Sequence, residues 1–219
     1  MVQFKVLFSI VLALELFGLA NPVLAQTNPI GKRIIVIDPG HGGKDSGAVG
    51  INGIQEKDIV LKIAKQIVEL NEIAFKNQFE IYLTRYTDTL ISLGDRTKLA
   101  KILKADIFIS LHCNDADNAN ARGIEVYVAN SNEKHFQKSI IIAYNIQKMI
   151  MAKLGFESRG VKFANFQVLG ETTNFCPSIL LELGFLSNRD EANYVSEYKN
   201  LKDFALLLLD ELYKIKSYE

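Results

Sequence analysis

The chain has 219 residues, with 25 basic side chains against 25 acidic ones and a hydrophobic content of 48%. That length supports one substantial core, so one folded domain is expected. A neutral chain with few basic clusters gives no electrostatic case for nucleic acid or an anionic membrane surface as a partner.

At the start, Lys5 precedes an apolar run from Val6 to Ala20, and Val23-Leu24-Ala25 forms a small-residue cleavage pattern. Residues 1–25 therefore read as a cleaved signal peptide, which predicts export to the periplasm, cell wall or extracellular space. A retained anchor is the alternative, because the run approaches spanning length. Glu15 inside it and Pro22 after it weaken that alternative, and no stable membrane anchor is expected. Residues 26–32, with Asn28-Pro29 and Gly31, read as a linker, and 33–219 as the folded domain.

Ile34 to Ile37 is a β-branched apolar run of the kind buried on both faces of a parallel sheet. Asp38-Pro39 is expected to stop that strand, since proline cannot donate to a ladder. Gly40, Gly42 and Gly43 then surround His41 with little side-chain bulk. Asn52-Gly53 signals a turn. Asp58 is expected to cap a helix in which Val60, Ile63, Ala64, Ile67 and Leu70 recur at helical spacing. Phe79 to Leu83 reads as a second strand. Ser92-Leu93-Gly94-Asp95 reads as a capping box opening a helix to about Leu103.

Ala105 to Leu111 reads as a third buried strand, delivering His112 at its end. Asp115 to Ala121 is loop-like, and Gly123 to Val128 is a fourth strand. Phe136 to Leu154 is a long helix closed by Gly155. Gly160 to Phe166 is expected to be a loop, Gln167 to Leu169 a short strand, and Ser178 to Leu183 an apolar strand carrying one charge, Glu182. Asn188 to Val195 is a short helix. A last helix runs from about Leu201 to Tyr213, with Leu201, Phe204, Leu208, Leu209 and Leu212 inward. Strands alternating with helices predict an α/β domain whose mostly parallel sheet is covered on both sides.

The three histidines are His41, His112 and His135. Two of them end predicted strands, at the rim where open α/β sheets bind ligands. Two imidazoles at one rim favour a shared ligand, and zinc suits imidazole and carboxylate donors. A catalytic zinc typically takes three protein ligands, so a carboxylate must complete the set, with Glu56 and Glu182 as candidates. Glu56 also reads as a helix-start acid, worth under about 1 kcal/mol. Glu182 has a weaker alternative, because an unpaired charge among Ile179-Leu180-Leu181 and Leu183-Gly184-Phe185 is costly. His135, on a polar helix start, reads as solvated. Cys113 and Cys176 are too few for a disulfide framework, and both a pair and two free thiols stay open.

Four stretches in order, Asp38-Pro39-Gly40-His41-Gly42-Gly43, Gln55-Glu56-Lys57-Asp58, Ser110-Leu111-His112-Cys113-Asn114 and Leu181 to Asn188, resemble the zinc-dependent N-acetylmuramoyl-L-alanine amidases that cut bacterial peptidoglycan. Arg85, Leu93 to Arg96 and Arg159-Gly160-Val161-Lys162 are similar to the family's intervening segments. The resemblance spans about Arg33 to Tyr213. It implies a three-layer α/β/α sandwich, with zinc held by His41, Glu56 and His112 and Glu182 as the catalytic carboxylate. It also implies hydrolysis of the amide joining the lactyl group of N-acetylmuramic acid to L-alanine. Asp38 or the glycine-loop carbonyls are expected to orient the histidines, and Asn114 and Arg159 to contact substrate. Cys113 is expected to point away from the site.

Some members of the family carry a long insertion before the helix at Phe136, folded as a plug. Here about seven residues, Ala129 to His135, predict an open site. No wall-binding repeat is expected at either end, and the identity of any activator protein stays open. The rival readings are a zinc peptidase or deacetylase acting on cell-wall peptides or glycans, an inactive wall-binding module, and a phosphate-cradling loop at Gly40 to Gly47. The last lacks the lysine-serine ending of a P-loop.

Overall fold

The structure is a computed structural model describing residues 31–215, so the expected signal peptide and nearly all of the linker lie outside the described residues. Residues 32–215 form one compact unit. Its elements run β1 (Arg33–Pro39), α1 (Glu56–Ile73), β2 (Phe79–Leu83), α2 (Leu93–Leu103), β3 (Ile107–Asn114), β4 (Ile124–Ala129), α3 (Phe136–Leu154), β5 (Ser158–Ala164), α4 (Gln167–Thr172), β6 (Ser178–Phe185), α5 (Arg189–Ser196) and α6 (Tyr198–Ile215).

One six-stranded sheet has the order β2-β1-β3-β6-β4-β5. All neighbours are parallel except β4 and β6, which run antiparallel. Strand alternation sends Ile35, Ile37, Ile109, Leu111, Leu181 and Leu183 to a large core. The buried faces of α1, α3 and α6 contribute to that core. Val36, Phe108 and Leu180 face the other way, into a smaller core shared with Ala100 of α2 and Val168 and Leu169 of α4. These are the three layers expected.

The β1 strand is followed in sequence by β2 on one side, whereas β3 lies on the other. This reversal opens a crevice past the carboxyl ends of β1 and β3, the usual ligand position in such sheets. Because β4 and β5 run against β6, their first residues arrive at that same rim.

Asp38-Pro39 does end β1, whose last residue is Pro39, although both residues stay paired, to Ser110 and Leu111 of β3. Pro39 is tolerated as the final strand residue because Gly40 N–H resumes the ladder to Leu111 O at 3.0 Å. Several local expectations need correction. Gln55, not Asp58, caps α1, and Asp58 sits in the first helical turn. The expected loop from Gly160 lies largely in β5, an edge strand with few apolar residues and hence a weak periodic signal. Gln167 to Leu169 belongs to helix α4, where Leu169 and Gly170 N–H groups close onto Phe166 O. Three residues are too few to distinguish a helical from a strand period.

Elsewhere the reading holds. Ser92 accepts from Asp95 N–H at the start of α2, and Gly155 ends α3 at φ 76°. Cys113 and Cys176 are free thiols in opposite cores, so no disulfide joins them.

Candidate active site

His41 leaves β1 on a glycine-rich loop with its own φ at +57°, an uncommon conformation for a residue with a side chain. Two buried arginines hold the loop there. Arg85 donates to Pro39 O (3.0 Å) and Gly40 O (2.8 Å), and Arg96 to Pro39 O (2.9 Å) and His41 O (2.8 Å). Arg96 also pairs with buried Asp38 at 2.7 Å. Asp38 further accepts from Thr84 and Ser110, so the expectation that it orients a histidine is corrected. Its lone pairs are committed to the loop's foundation.

The residue facing His41 Nδ1 is Asp45, at 2.9 Å, four positions further along the same loop. Sequence reasoning missed it, although Asp45 stands only two positions after the glycine run. This contact leaves His41 Nε2 directed at Glu56 Oε1, 3.1 Å away. From β3, His112 turns Nδ1 to the same oxygen at 2.9 Å. The two rings stand nearly perpendicular, with centroids 4.9 Å apart. Gly40 makes the approach feasible, because a Cβ there would lie 2.3 Å from His112 Cε1.

Glu56 is almost fully buried at 3% exposure. Its Oε1 accepts from Cys113 N–H at 2.9 Å, and its Oε2 from Ala48 N–H at 2.8 Å. Burial disfavours its charge, but hydrogen bonds from His112 and His41 outweigh that and hold the carboxyl down at about 2. Burial likewise opposes charge on His41, yet Glu56 and Asp45 together lift it to about 9. The donor atoms of His41, Glu56 and His112 all lie within 4.8 Å of one another. Donors bound at about 2.0–2.2 Å around one tetrahedral ion sit somewhat over 3 Å apart. Two imidazoles and one carboxylate at this spacing, with His41 held by Asp45 and Glu56 by two backbone N–H groups, fit a zinc ion.

Glu182 occupies β6, level with His112 of β3. Its Oε2 is buried without a hydrogen-bond partner. Burial, reinforced by the negative charges of Glu56 and Glu125 and opposed by the histidines, raises its carboxyl to about 7. A carboxyl poised near neutrality can both take and return a proton. Beside it opens a cleft of about 710 Å³, with Leu90, Leu93, Phe166, Val168 and Leu180 in its walls.

The two expected substrate contacts are placed by Glu125 of β4, which pairs level with Glu182. Asn114 donates to Glu125 Oε2 at 2.8 Å, and Arg159 to Oε1 at 2.6 Å. Glu125 and its second cation, Lys162, were not singled out as site residues in the sequence. Glu125 sits in an apolar strand exactly as Glu182 does in its own, and that pattern was the available signal. His135 is elsewhere, beside Arg33 and Asp106 at the opposite rim, and Cys113 packs into the large core.

A sequence profile for N-acetylmuramoyl-L-alanine amidases, Amidase_3, matches residues 35–212. The chain is 37% identical over 180 residues to the N-acetylmuramoyl-L-alanine amidase LytC of Bacillus subtilis, covering 82% of this chain and 33% of LytC. It is 36% identical over 176 residues to the endolysin of Bacillus phage SPP1, covering 79% of this chain and 62% of the endolysin. It thus spans about a third and somewhat under two thirds of these two relatives. Among solved structures, the catalytic domain of CwlV, an N-acetylmuramoyl-L-alanine amidase from Paenibacillus polymyxa, superposes with a TM-score of 0.75 at 34% identity, covering 85% of this chain and 99% of that one.

Proposed function

The chain belongs to the N-acetylmuramoyl-L-alanine amidase family, and from that footing we propose that it hydrolyses the amide between the lactyl group of N-acetylmuramic acid and L-alanine in peptidoglycan. The observation that carries this reading is the convergence of His41, Glu56 and His112 beside the unpartnered Oε2 of Glu182. His41 through Nε2, His112 through Nδ1 and Glu56 through Oε1 would hold zinc. When bound, zinc supplies a Lewis acid that polarises the scissile carbonyl and acidifies water.

The remaining work belongs to the protein. Asp45 fixes the tautomer and direction of the His41 ring, and the arginine pair fixes the backbone beneath it. Glu182 Oε2 receives a proton from the attacking water and returns it to the leaving L-alanine nitrogen. The apolar wall of the cleft excludes competing water and accommodates the lactyl and acetamido methyl groups of the glycan. The Lys5 and Val6–Ala20 pattern supports action outside the cytoplasm. Among the described residues, no helix is long and apolar enough to cross a membrane.

The test is digestion of purified muropeptides by the metal-loaded protein, read by mass spectrometry. Release of intact stem peptide with a free L-alanine amine is expected. A chelator should abolish release, added zinc should restore it, and Glu182→Gln should remove it with zinc still bound. Cleavage inside the stem, or activity unchanged by chelation, would overturn the reading.

A further inference from the structure

The two sides of the proposed cut carry different chemistry, and the rim of the sheet offers different side chains on the two sides of Glu182. A group that protonates the leaving nitrogen lies toward the peptide side of the scissile bond. Sheet order therefore gives the rim a direction: His112 on β3, Glu182 on β6, Glu125 on β4, then β5. Chain leaving Glu182 toward β4 and β5 is stem peptide. The first residue beyond L-alanine in a peptidoglycan stem is a γ-linked glutamate, whose α-carboxylate is anionic unless amidated.

The β5 side of the rim, next to the cleft and outside its lining, carries a cationic platform. Arg159 Nε and Lys162 Nζ both donate to Glu125 Oε1, at 2.6 and 2.5 Å. Asn114 and Tyr127 donate to Glu125 Oε2 at 2.8 and 2.7 Å, so both carboxylate oxygens are engaged twice. Glu125 is buried, whereas the Arg159 and Lys162 side chains are 39% and 36% exposed. Arg159 also lies over the Phe185 ring, 5.0 Å from its centroid.

Residues three apart on a regular strand point to opposite faces. Here the register shifts between Ile124↔Ser158 and Val126↔Val161, placing Arg159 and Gly160 together opposite Glu125. Gly160 takes φ +89° within that bulge. The extra residue reverses the alternation and lets both cations reach one carboxylate.

We propose that Arg159 and Lys162, held in place by Glu125, form a carboxylate-binding subsite for the α-carboxylate of the second stem-peptide residue. This rests on the peptidoglycan reading above. Two cations against one anion leave the platform a net positive charge for that group. A peptide residue advances about 3.3–3.6 Å along an extended chain, and neighbouring strands lie about 4.8 Å apart, so one residue beyond Glu182 brings the carboxylate within reach of these long side chains. Glu125 acts as a positioning residue, and Asn114 braces it.

The experiment compares muramyl peptides that differ only in a free or amidated α-carboxyl on residue two. The wild-type holoenzyme is expected to favour the free acid by roughly tenfold or more in kcat/KM, mostly through KM, as for one charge-assisted contact. Arg159→Gln/Lys162→Gln should bring that preference close to one. Glu125→Gln should reduce it, with a smaller change in kcat than in KM.

Calorimetry with the free dipeptide L-alanyl-γ-D-glutamate and its α-amide gives a second readout that needs no turnover. If muropeptides are not cleaved, the amidase reading fails while the dipeptide titration still decides the subsite. Equal binding of acid and amide by the wild type, or a preference that survives in the double variant, overturns the proposal.

Discussion

Arg96 Nη2 donates to the carbonyl oxygen of His41 at 2.8 Å, while the same guanidinium grips Asp38 Oδ1 at 2.7 Å. A helix α2 side chain therefore joins the last residues of β1 to the left-handed residue that presents the first histidine. Removing it leaves a buried carboxylate without its cation. Arg96→Met should lower unfolding free energy by about 3–5 kcal/mol. In urea titrations, adding Asp38→Asn to Arg96→Met should recover part of the loss. Simple additivity of the two changes would refute a coupled pair.

Asp45 is half exposed and contributes little burial, so its influence should fall on the metal rather than on the fold. Asp45→Ala is expected to weaken zinc affinity by roughly 10–100-fold. Its unfolding free energy should move by no more than about 1 kcal/mol in chelated protein, the size of a half-exposed ion pair. Competition against a chromophoric chelator measures the first quantity, and an unchanged affinity would remove Asp45 from the site.

Gly40 tests the crowding around His112. Its Cβ would meet the imidazole at 2.3 Å, so Gly40→Ala must displace that ring. We expect at least about a tenfold loss of zinc affinity. The accompanying stability cost is about 1–3 kcal/mol, as for other overpacked positions. Wild-type zinc binding in this variant would mean that the ring nitrogen is not a ligand.

Glu182 carries a stability penalty that its proposed role requires. Its folded-state carboxyl sits near 7 against an ordinary 4.5, mainly through burial. Below pH 4.5 both states are protonated and no penalty exists. Stability is lost as pH rises from 4.5 through 7, and above 7 the full cost is present. In chelated protein, Glu182→Gln should therefore be more stable than wild type by about 1–3 kcal/mol at pH 8, and no more stable at pH 4. A stabilisation that is independent of pH would contradict the assigned cause.

Much of the framework was legible because it rests on local rules. Ser92 and Asp95 announce the start of α2, Gly155 ends α3, and the five inward residues of α6 repeat at helical spacing. Glu182 stood out as a single charge in an apolar strand, and the four ordered motifs indicated which carboxylate joins the histidines. The failures were also local. An edge strand such as β5 has no apolar alternation to read, and a six-residue helix such as α4 completes too few turns to show a period.

By itself, the sequence determined the strand and helix alternation, the family, and the four residues on which the chemistry is proposed to turn, because short-range periodicity and motif spacing are properties of the chain alone. Only the tertiary structure decided that Asp45 rather than Asp38 faces His41, and that Arg96 and Arg85 anchor the loop. It also decided that β4 and β5 run against β6, bringing Glu125, Arg159 and Lys162 beside Glu182. Apart from the Asp45–His41 contact, which spans four positions and rests on the left-handed turn at His41, these contacts join residues 34 to 58 positions apart, or depend on a strand's direction and a bulge, and such relationships exist only once the sheet has been assembled.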